Sequence, residues 1–209
     1  MNESRLLLPC SAIAFTICGT LLWQGSRMIA KEQANRPKAI LLTAKPADVL
    51  AKAHWLRHNS FTEWTLVEFF DYECPPCREF AQNESTHLAK YYDQLSIAAH
   101  FFPLTIHPMA RPAALLAENA EANHNWPRLH QTLMDPNSEL DVTLLKKLAL
   151  ESGSDLAKIL SDPQPNTLLD SETSLALHLH LNSTPTFLLC SKTQVWKLAR
   201  LDDLKSLLH

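Results

Sequence analysis

Glycine is nearly missing from this chain: three residues among 209, against thirteen prolines. So few glycines exclude the loops that bring bare backbone against nucleotide phosphates. Neither sign of charge dominates. Nineteen basic and twenty-two acidic residues leave a formal net charge of −3, which gives no footprint for nucleic acid or another polyanion. Cysteine is scarce as well, and the five present are not placed like a disulfide scaffold. Cys10 and Cys18 lie in an apolar N-terminal segment, Cys74 and Cys77 form a close pair, and Cys190 stands alone. What is plentiful is apolar side chain, 46% of the residues, enough for a real core in one ordinary domain with a tail.

Residues 31–47 are polar and interrupted by Pro37 and Pro46. They read as a tether between an N-terminal segment, 1–30, and a domain over 48–209. Asp48–His58 reads as a short helix. Leu66–Phe70 is an apolar strand bounded by polar residues. Arg78–Tyr92 is helical, with Phe80, Ala81, Leu88 and Tyr91 spaced to face a core. Leu95–Leu104 reads as a second strand, parallel to the first through that helix. From Met109 to Leu181 no strand pattern occurs; helical stretches at 113–122, 126–133, 142–150, 155–160 and 168–181 are punctuated by Pro127, Pro136, Pro163 and Pro165. Thr186–Cys190 and Gln194–Ala199 then form a hairpin, and Leu201–Leu208 closes as a helix. Alternating strands and helices without repeats define an α/β class: a βαβ unit and a ββα end, with an all-helical subdomain inserted at about 109–181.

Cys74-Pro75-Pro76-Cys77 stands directly after the first strand and opens the helix that follows. Cysteines three apart in an opening turn can reach disulfide range. The unpaired N–H groups and positive dipole end of that turn favour thiolate over thiol, so the arrangement reads as redox chemistry. A structural disulfide closing so small a loop would gain little entropy. Half a zinc site is the other alternative, but zinc usually takes four ligands and no second CxxC or HxxxH pair follows to complete a set. Cys74, at the helix start, is the expected nucleophile; Cys77, one turn further in, resolves the mixed disulfide.

Pro75 and Pro76 set the poise. Pro75 suits the first helical position, and Pro76 removes a second N–H that could have reached the Cys74 sulfur. Asp71 and Glu73 add negative charge that raises the Cys74 pKa, and Arg78 opposes them. The expectation is a thiolate less stabilised than in the strongest oxidants, and a less oxidising couple. Glu68 sits mid-strand among apolar neighbours, where a carboxylate is costly unless it has a partner or a task; the alternative is that it points to solvent. Cys190 reads as a buried structural thiol. His54 and His58 share a face if 48–58 is helical. Trp55, Trp64, Trp126 and Trp196 read as packing residues, with Trp126 a conceivable substrate contact.

The stretch Val67-Glu68-Phe69-Phe70-Asp71-Tyr72-Glu73-Cys74-Pro75-Pro76-Cys77-Arg78 resembles the active-site segment of the thioredoxin superfamily, and more narrowly the periplasmic thiol:disulfide oxidoreductases of the DsbA type. Ser183-Thr184-Pro185-Thr186-Phe187-Leu188-Leu189 resembles the family's second signature, a cis-proline opening a strand that faces the disulfide. His107-Pro108-Met109-Ala110-Arg111-Pro112-Ala113-Ala114 resembles the entry to a helical insert. The resemblance spans about residues 62–209. It implies a thioredoxin-like fold in which Glu68 lies beneath the CxxC and relays a proton to the buried cysteine. It also implies that Pro185 is cis, where sequence alone would read an ordinary strand-opening proline, and that Thr184 offers its backbone to an extended substrate. Ser183 stands where relatives often carry Gly.

The implied activity is exchange of the Cys74–Cys77 disulfide or dithiol with cysteine-containing exported proteins, disulfide formation favoured, with a redox partner that regenerates the site. No cofactor, metal or nucleic acid is expected. Reductase or isomerase action on the same fold, a non-catalytic thioredoxin-like chaperone, and a metal carrier using Cys74 and Cys77 are the alternatives. From Leu6 to Ser26 there is no charged residue. About 20 helical residues span a ~30 Å hydrocarbon layer, so this is either a signal peptide or an inner-membrane anchor. Met28 lies badly for cleavage after Ala30, which favours the anchor. Arg27, Lys31, Arg36 and Lys38 follow the segment and only Arg5 precedes it, a bias that by itself would keep the domain inside. A periplasmic or other extracytoplasmic location is still preferred, because large domains translocate despite nearby charge and dithiol oxidation belongs in an oxidising compartment.

Overall fold

Three stretches of the chain have almost no polar face to offer water, and they become the middle of the sheet. In the computed structural model, which describes residues 22–28, 31, 37–122 and 126–208, these are β3 (Trp64–Phe70), β4 (Leu95–Phe101) and β5 (Thr186–Cys190). Every residue of β4 and β5 is buried, as is β3 from Leu66 onward. β1 (Ala39–Leu42), β2 (His54–Arg57) and β6 (Val195–Leu198) complete a six-stranded sheet in the order β1-β6-β5-β3-β4-β2. β3 and β4 are parallel, joined through helix α3 (Pro75–Leu88) as the βαβ pattern requires. The other pairings are antiparallel.

Side chains alternate across this sheet. Val67, Phe69, Ala98, Leu188 and Cys190 enter one core; Leu66, Ile97, Phe187 and Leu189 enter another with Phe80 of α3. Between β4 and β5 come only helices: α4 (Ala110–Ala122), α5 (Trp126–Leu133), α6 (Val142–Glu151), α7 (Leu156–Ser161) and α8 (Pro163–His178). This is the expected all-helical insert, and the whole is the thioredoxin-like fold with a helical insertion.

Local chemistry sets the helix ends. Asp141, Asp155 and Asp162 cap α6, α7 and α8 by accepting from the N–H groups of Leu144, Lys158 and Gln164. Pro163 therefore starts α8 at a position that needs no N–H, so the helix begins five residues before the sequence pattern indicates. Both α6 and α8 end in the same double hydrogen bond. Ser154 N–H reaches Ala149 O at 2.8 Å and Gly153 N–H reaches Leu150 O at 3.0 Å; Leu181 N–H reaches Ala176 O at 2.9 Å and His180 N–H reaches Leu177 O at 3.0 Å. The turn residue is left-handed in each, Gly153 at φ 75° and His180 at φ 54°. A glycine carries that conformation freely and a histidine does not.

Several expectations are corrected. The tether over 31–47 is shorter than expected: Ala39–Leu42 pairs with β6 as an edge strand, and α2 (Pro46–Leu50) follows. The helix expected at 48–58 is α2 plus strand β2, which pairs with β4 through an irregularity between Trp55 and Arg57. The closing helix is a 3-10 helix, Leu201–Ser206. Of the tryptophans, Trp126 is 1% exposed but Trp55 is 39% exposed, so Trp55 is only partly a packing residue.

The chain forms two units, Met1–Lys38 and Ala39–His209. In the first, residues 22–28 are helical (α1), with Ser26 Oγ donating to the Trp23 carbonyl at 2.8 Å. No helix among the described residues is long and apolar enough to cross a membrane. Residues 6–21 of the expected anchor, with Cys10 and Cys18, lie outside the described residues.

Replacing His180 with Gly should relieve its left-handed backbone and raise stability by about 0.5–1 kcal/mol. Urea unfolding of the His180→Gly variant measures this; a midpoint at or below that of the parent would contradict it.

Candidate active site

β3 ends at Phe70, and the next four residues build the turn that presents the sulfurs. Asp71 Oδ1 accepts from Glu73 N–H at 2.7 Å, and the Asp71 carbonyl accepts from Cys74 N–H at 3.1 Å. The other carboxylate oxygen, Oδ2, holds Leu104 N–H at 2.8 Å and His107 Nδ1 at 2.8 Å. Cys74 is the N-cap of α3, and Pro75 and Pro76 fill the first two helical positions. Neither proline can donate to the Cys74 sulfur, so the first N–H of the helix able to do so belongs to Cys77.

The two thiols sit in very different surroundings. Cys77 is 0% exposed and Cys74 4%, so Cys74 is the more accessible by a small margin. The Cys74 pKa is lowered to about 6, chiefly because the Cys77 thiol donates to its sulfur; Thr184 and the Cys77 N–H add to this, while burial and the Asp71 charge oppose it. Cys77 moves the opposite way, pushed far up by burial, by its bond to Cys74 and by the charge of Glu68.

Pro185 meets these sulfurs from the far end of the chain. Antiparallel β5 lies against β3 with Thr186 opposite Phe69, which swings the preceding loop over the tip of α3. The Thr184–Pro185 bond is cis, and Cys74 Sγ donates to the Thr184 carbonyl at 3.3 Å. The Thr184 hydroxyl is buried without a hydrogen-bond partner.

Glu68 is buried, 5% exposed, and Oε1 has no hydrogen bond. The solvent-pointing alternative is excluded. On β3 it shares a face with Leu66 and Phe70, the face that α3 covers. Burial first, then the charges of Cys74 and Glu84, hold its carboxyl well above the usual range. A cavity of about 230 Å³ is lined by Glu68 together with Trp55, Glu84, Trp126 and His130.

Two charges act differently from the sequence expectation. Arg78 turns to the insert, donating to the carbonyls of Asp135 at 2.5 Å and Ser138 at 2.7 Å, so it does not counter Asp71 and Glu73 at the sulfur. Glu73 accepts from Met109 N–H and fastens the loop that leads into α4. His107 was legible only as part of the insert entry. Although burial works against its charge, Asp71 raises its pKa, and Cys74 contributes.

Cys190 pairs in register with Thr65, at the opposite end of β3 from the CxxC, and burial pushes its thiol up to about 12. It takes no part in the pair. His54 and His58 do not share a helical face; His54 instead meets Glu118 and Glu172. Trp126 is buried and donates from Nε1 to the Tyr72 hydroxyl at 3.2 Å, which makes it a support of the active-site strand.

Known proteins with this arrangement bear on the family. The profile of the thioredoxin family matches residues 59–209. Proteins described as Na+/H+ antiporter NhaA 1 from Mycobacterium strains KMS and JLS are 26% identical over 199 residues. The match takes in 91% of this chain but 31% of theirs, so the chain spans about a third of the length of these curated relatives. Among solved structures, a thioredoxin-like oxidoreductase from Silicibacter pomeroyi is 23% identical, with TM-score 0.63 over 78% of this chain and 95% of that one. Pseudomonas aeruginosa DsbA2 is 20% identical, with TM-score 0.58 over 74% and 91%. A periplasmic thioredoxin-like protein from Salmonella enterica serovar Typhimurium is 19% identical, with TM-score 0.60 over 78% and 92%. With the profile matched over residues 59–209, and a CxxC at a helix tip facing a cis-proline, the chain belongs to the thioredoxin family.

Proposed function

We propose that the chain is a thiol:disulfide oxidoreductase that exchanges the Cys74–Cys77 pair with cysteine-containing proteins outside the cytoplasm, disulfide formation being the favoured direction. One observation carries this: an acidic sulfur at the tip of α3 faces the Thr184 carbonyl, and a second, weakly acidic sulfur lies sealed behind it. The resemblance of the neighbours to periplasmic DsbA-like proteins supports the location, and segment 6–26 is the candidate tether.

In the forming direction a substrate thiolate attacks Cys74 of the Cys74–Cys77 disulfide. The S–S bond breaks, a mixed disulfide forms on Cys74, and Cys77 leaves with the electron pair. A buried thiol of such low acidity needs a proton, and Glu68, kept protonated by burial, supplies it. A second substrate thiolate then attacks the substrate sulfur of the mixed disulfide. Cys74 departs as a thiolate, a good leaving group at an acidity near 6. The substrate leaves oxidised, the pair is left as a dithiol, and a redox partner must remove two electrons. Thr184 and Pro185 hold the extended substrate by a main-chain bond, as an added strand does, while Pro75 and Pro76 limit the donors at the sulfur.

The Cys77→Ala variant should trap mixed disulfides on Cys74, recoverable as adducts that dithiothreitol releases. Cys74→Ser should abolish both the adducts and the oxidation of reduced test proteins. Oxidation that survives Cys74→Ser would refute the proposal.

Among Cys74, Cys77 and Cys190, alkylation of the reduced protein by iodoacetamide should occur at Cys74 and rise with pH around a midpoint near 6. A midpoint above about 8, that of an ordinary free thiol, would contradict the acidity on which the leaving-group step depends.

Glu68 has a folded-state pKa above its unfolded one, so its contribution to stability is greatest at low pH and is lost as pH rises from the ordinary carboxylate value. Glu68→Gln should therefore raise the melting temperature at pH 7–8, and the gain should vanish near pH 4. The same variant should slow the step that releases Cys77. A constant stability difference across that pH range would show that Glu68 does not titrate as described.

A further inference from the structure

Apart from the sulfurs, the insert and the sheet meet at a group of side chains that exchange chemistry does not use. His54 on β2, Glu118 on α4 and Glu172 on α8 are 4%, 5% and 2% exposed, and one ligand atom from each lies within 4.8 Å of the others. His54 Nε2 is 2.8 Å from Glu172 Oε1 and 3.5 Å from Glu118 Oε1. The ligand atoms of a tetrahedral ion with bonds of about 2.0–2.1 Å stand about 3.3 Å apart, and these two separations bracket that spacing.

A second observation points the same way. His100, 0% exposed, holds Nε2 at 2.7 Å from the Val49 carbonyl, an oxygen that only accepts. Nε2 therefore carries the hydrogen, and in the neutral ring Nδ1 carries a lone pair. Nδ1 has no hydrogen bond and faces Glu172 Oε2 at 3.6 Å. That oxygen already accepts from Phe101 N–H at 2.6 Å. His54 Nε2 lies within hydrogen-bond distance of Glu172 Oε1, so an ion binding here would displace the proton shared between them, and His100 Nδ1 faces the same buried carboxylate from its other side. The bonds from Phe101 and to Val49 are the kind of outer contacts that orient metal ligands. A cavity of about 180 Å³, lined by Asp48, Lys52, Ser171, His100 and Glu172, offers a way in.

We propose that His54, Glu118 and Glu172 bind one divalent transition cation of the zinc class, with a solvent molecule or His100 Nδ1 in the fourth position. Imidazole and carboxylate suit zinc, and a charge of +2 offsets the two carboxylates. The ion ties β2 to two helices of the insert and so pins the insert to the sheet. This site is independent of the thiol chemistry.

Because reduced Cys74 and Cys77 would themselves take zinc, the test uses the full chain with Cys74→Ser and Cys77→Ser, stripped with EDTA and titrated with zinc chloride by calorimetry. One equivalent should bind, with a rise in melting temperature, and cobalt(II) should give the visible bands of a low-coordinate ion. Glu172→Gln and Glu118→Gln, each checked for folding by circular dichroism, should weaken zinc tenfold or more and lose the cobalt bands. His178→Gln, exposed on α8, should change neither. If one glutamine variant fails to fold, the other decides. Absence of saturable uptake by the folded parent, or undiminished uptake by a folded glutamine variant, overturns the proposal and leaves a hydrogen-bonded cluster without a metal.

Discussion

Phe69 stands opposite Thr186 across the antiparallel pair β3 and β5, and the candidate site depends on that register. Residues 74 and 184 are 110 positions apart, yet each follows or precedes this pairing by only a few residues, so fixing it brings the Cys74 sulfur to the Thr184 carbonyl. A slip of one residue would turn every side chain of β5 to the wrong face. The slip is opposed by burial on both sides: Phe187 and Leu189 belong to one core, Leu188 and Cys190 to the other. Packing of an apolar strand thus sets the geometry of a polar site.

The same alternation decides the fate of Glu68. Its neighbours on its own face are Leu66 and Phe70, and α3 covers that face, so the carboxyl is shut in with Cys77. Nothing hydrogen-bonds Oε1. The cost of burying an acid in this way is what raises its proton affinity. Two groups that each hold a proton tightly, Glu68 and Cys77, lie behind one that sheds it readily, Cys74. That separation of acidities along a short line is what exchange chemistry needs.

The active-site segment also seats the insert. Tyr72 receives Trp126 Nε1–H at 3.2 Å and meets His130 Nδ1 at 3.2 Å, while Arg78 reaches two carbonyls between α5 and α6. Asp71 and Glu73 serve as acceptors for the loop before α4. Residues that read in the sequence as tuning charges are committed to holding backbone, since a buried N–H without a partner is costly. Their effect on the sulfur is secondary: the Asp71 charge opposes the Cys74 acidity only weakly beside the bond from Cys77.

From the sequence alone came the central strands, the helical insert and the placing of two cysteines at a helix start, because each rests on a short-range signal. Continuous apolar runs need a sheet centre, prolines and aspartates mark helix starts, and two cysteines three apart need one turn. Edge elements were not legible in the same way. Ala39–Leu42 is a strand only because β6 offers it hydrogen bonds, and His54–Arg57 only because β4 does; with little burial of their own, both segments read as tether and helix. The meeting of His54 with Glu118 and Glu172, and the turning of Arg78 to Asp135, join residues dozens of positions apart on separate elements. Such contacts leave no periodicity in the chain, so only the packing of the insert on the sheet decided them.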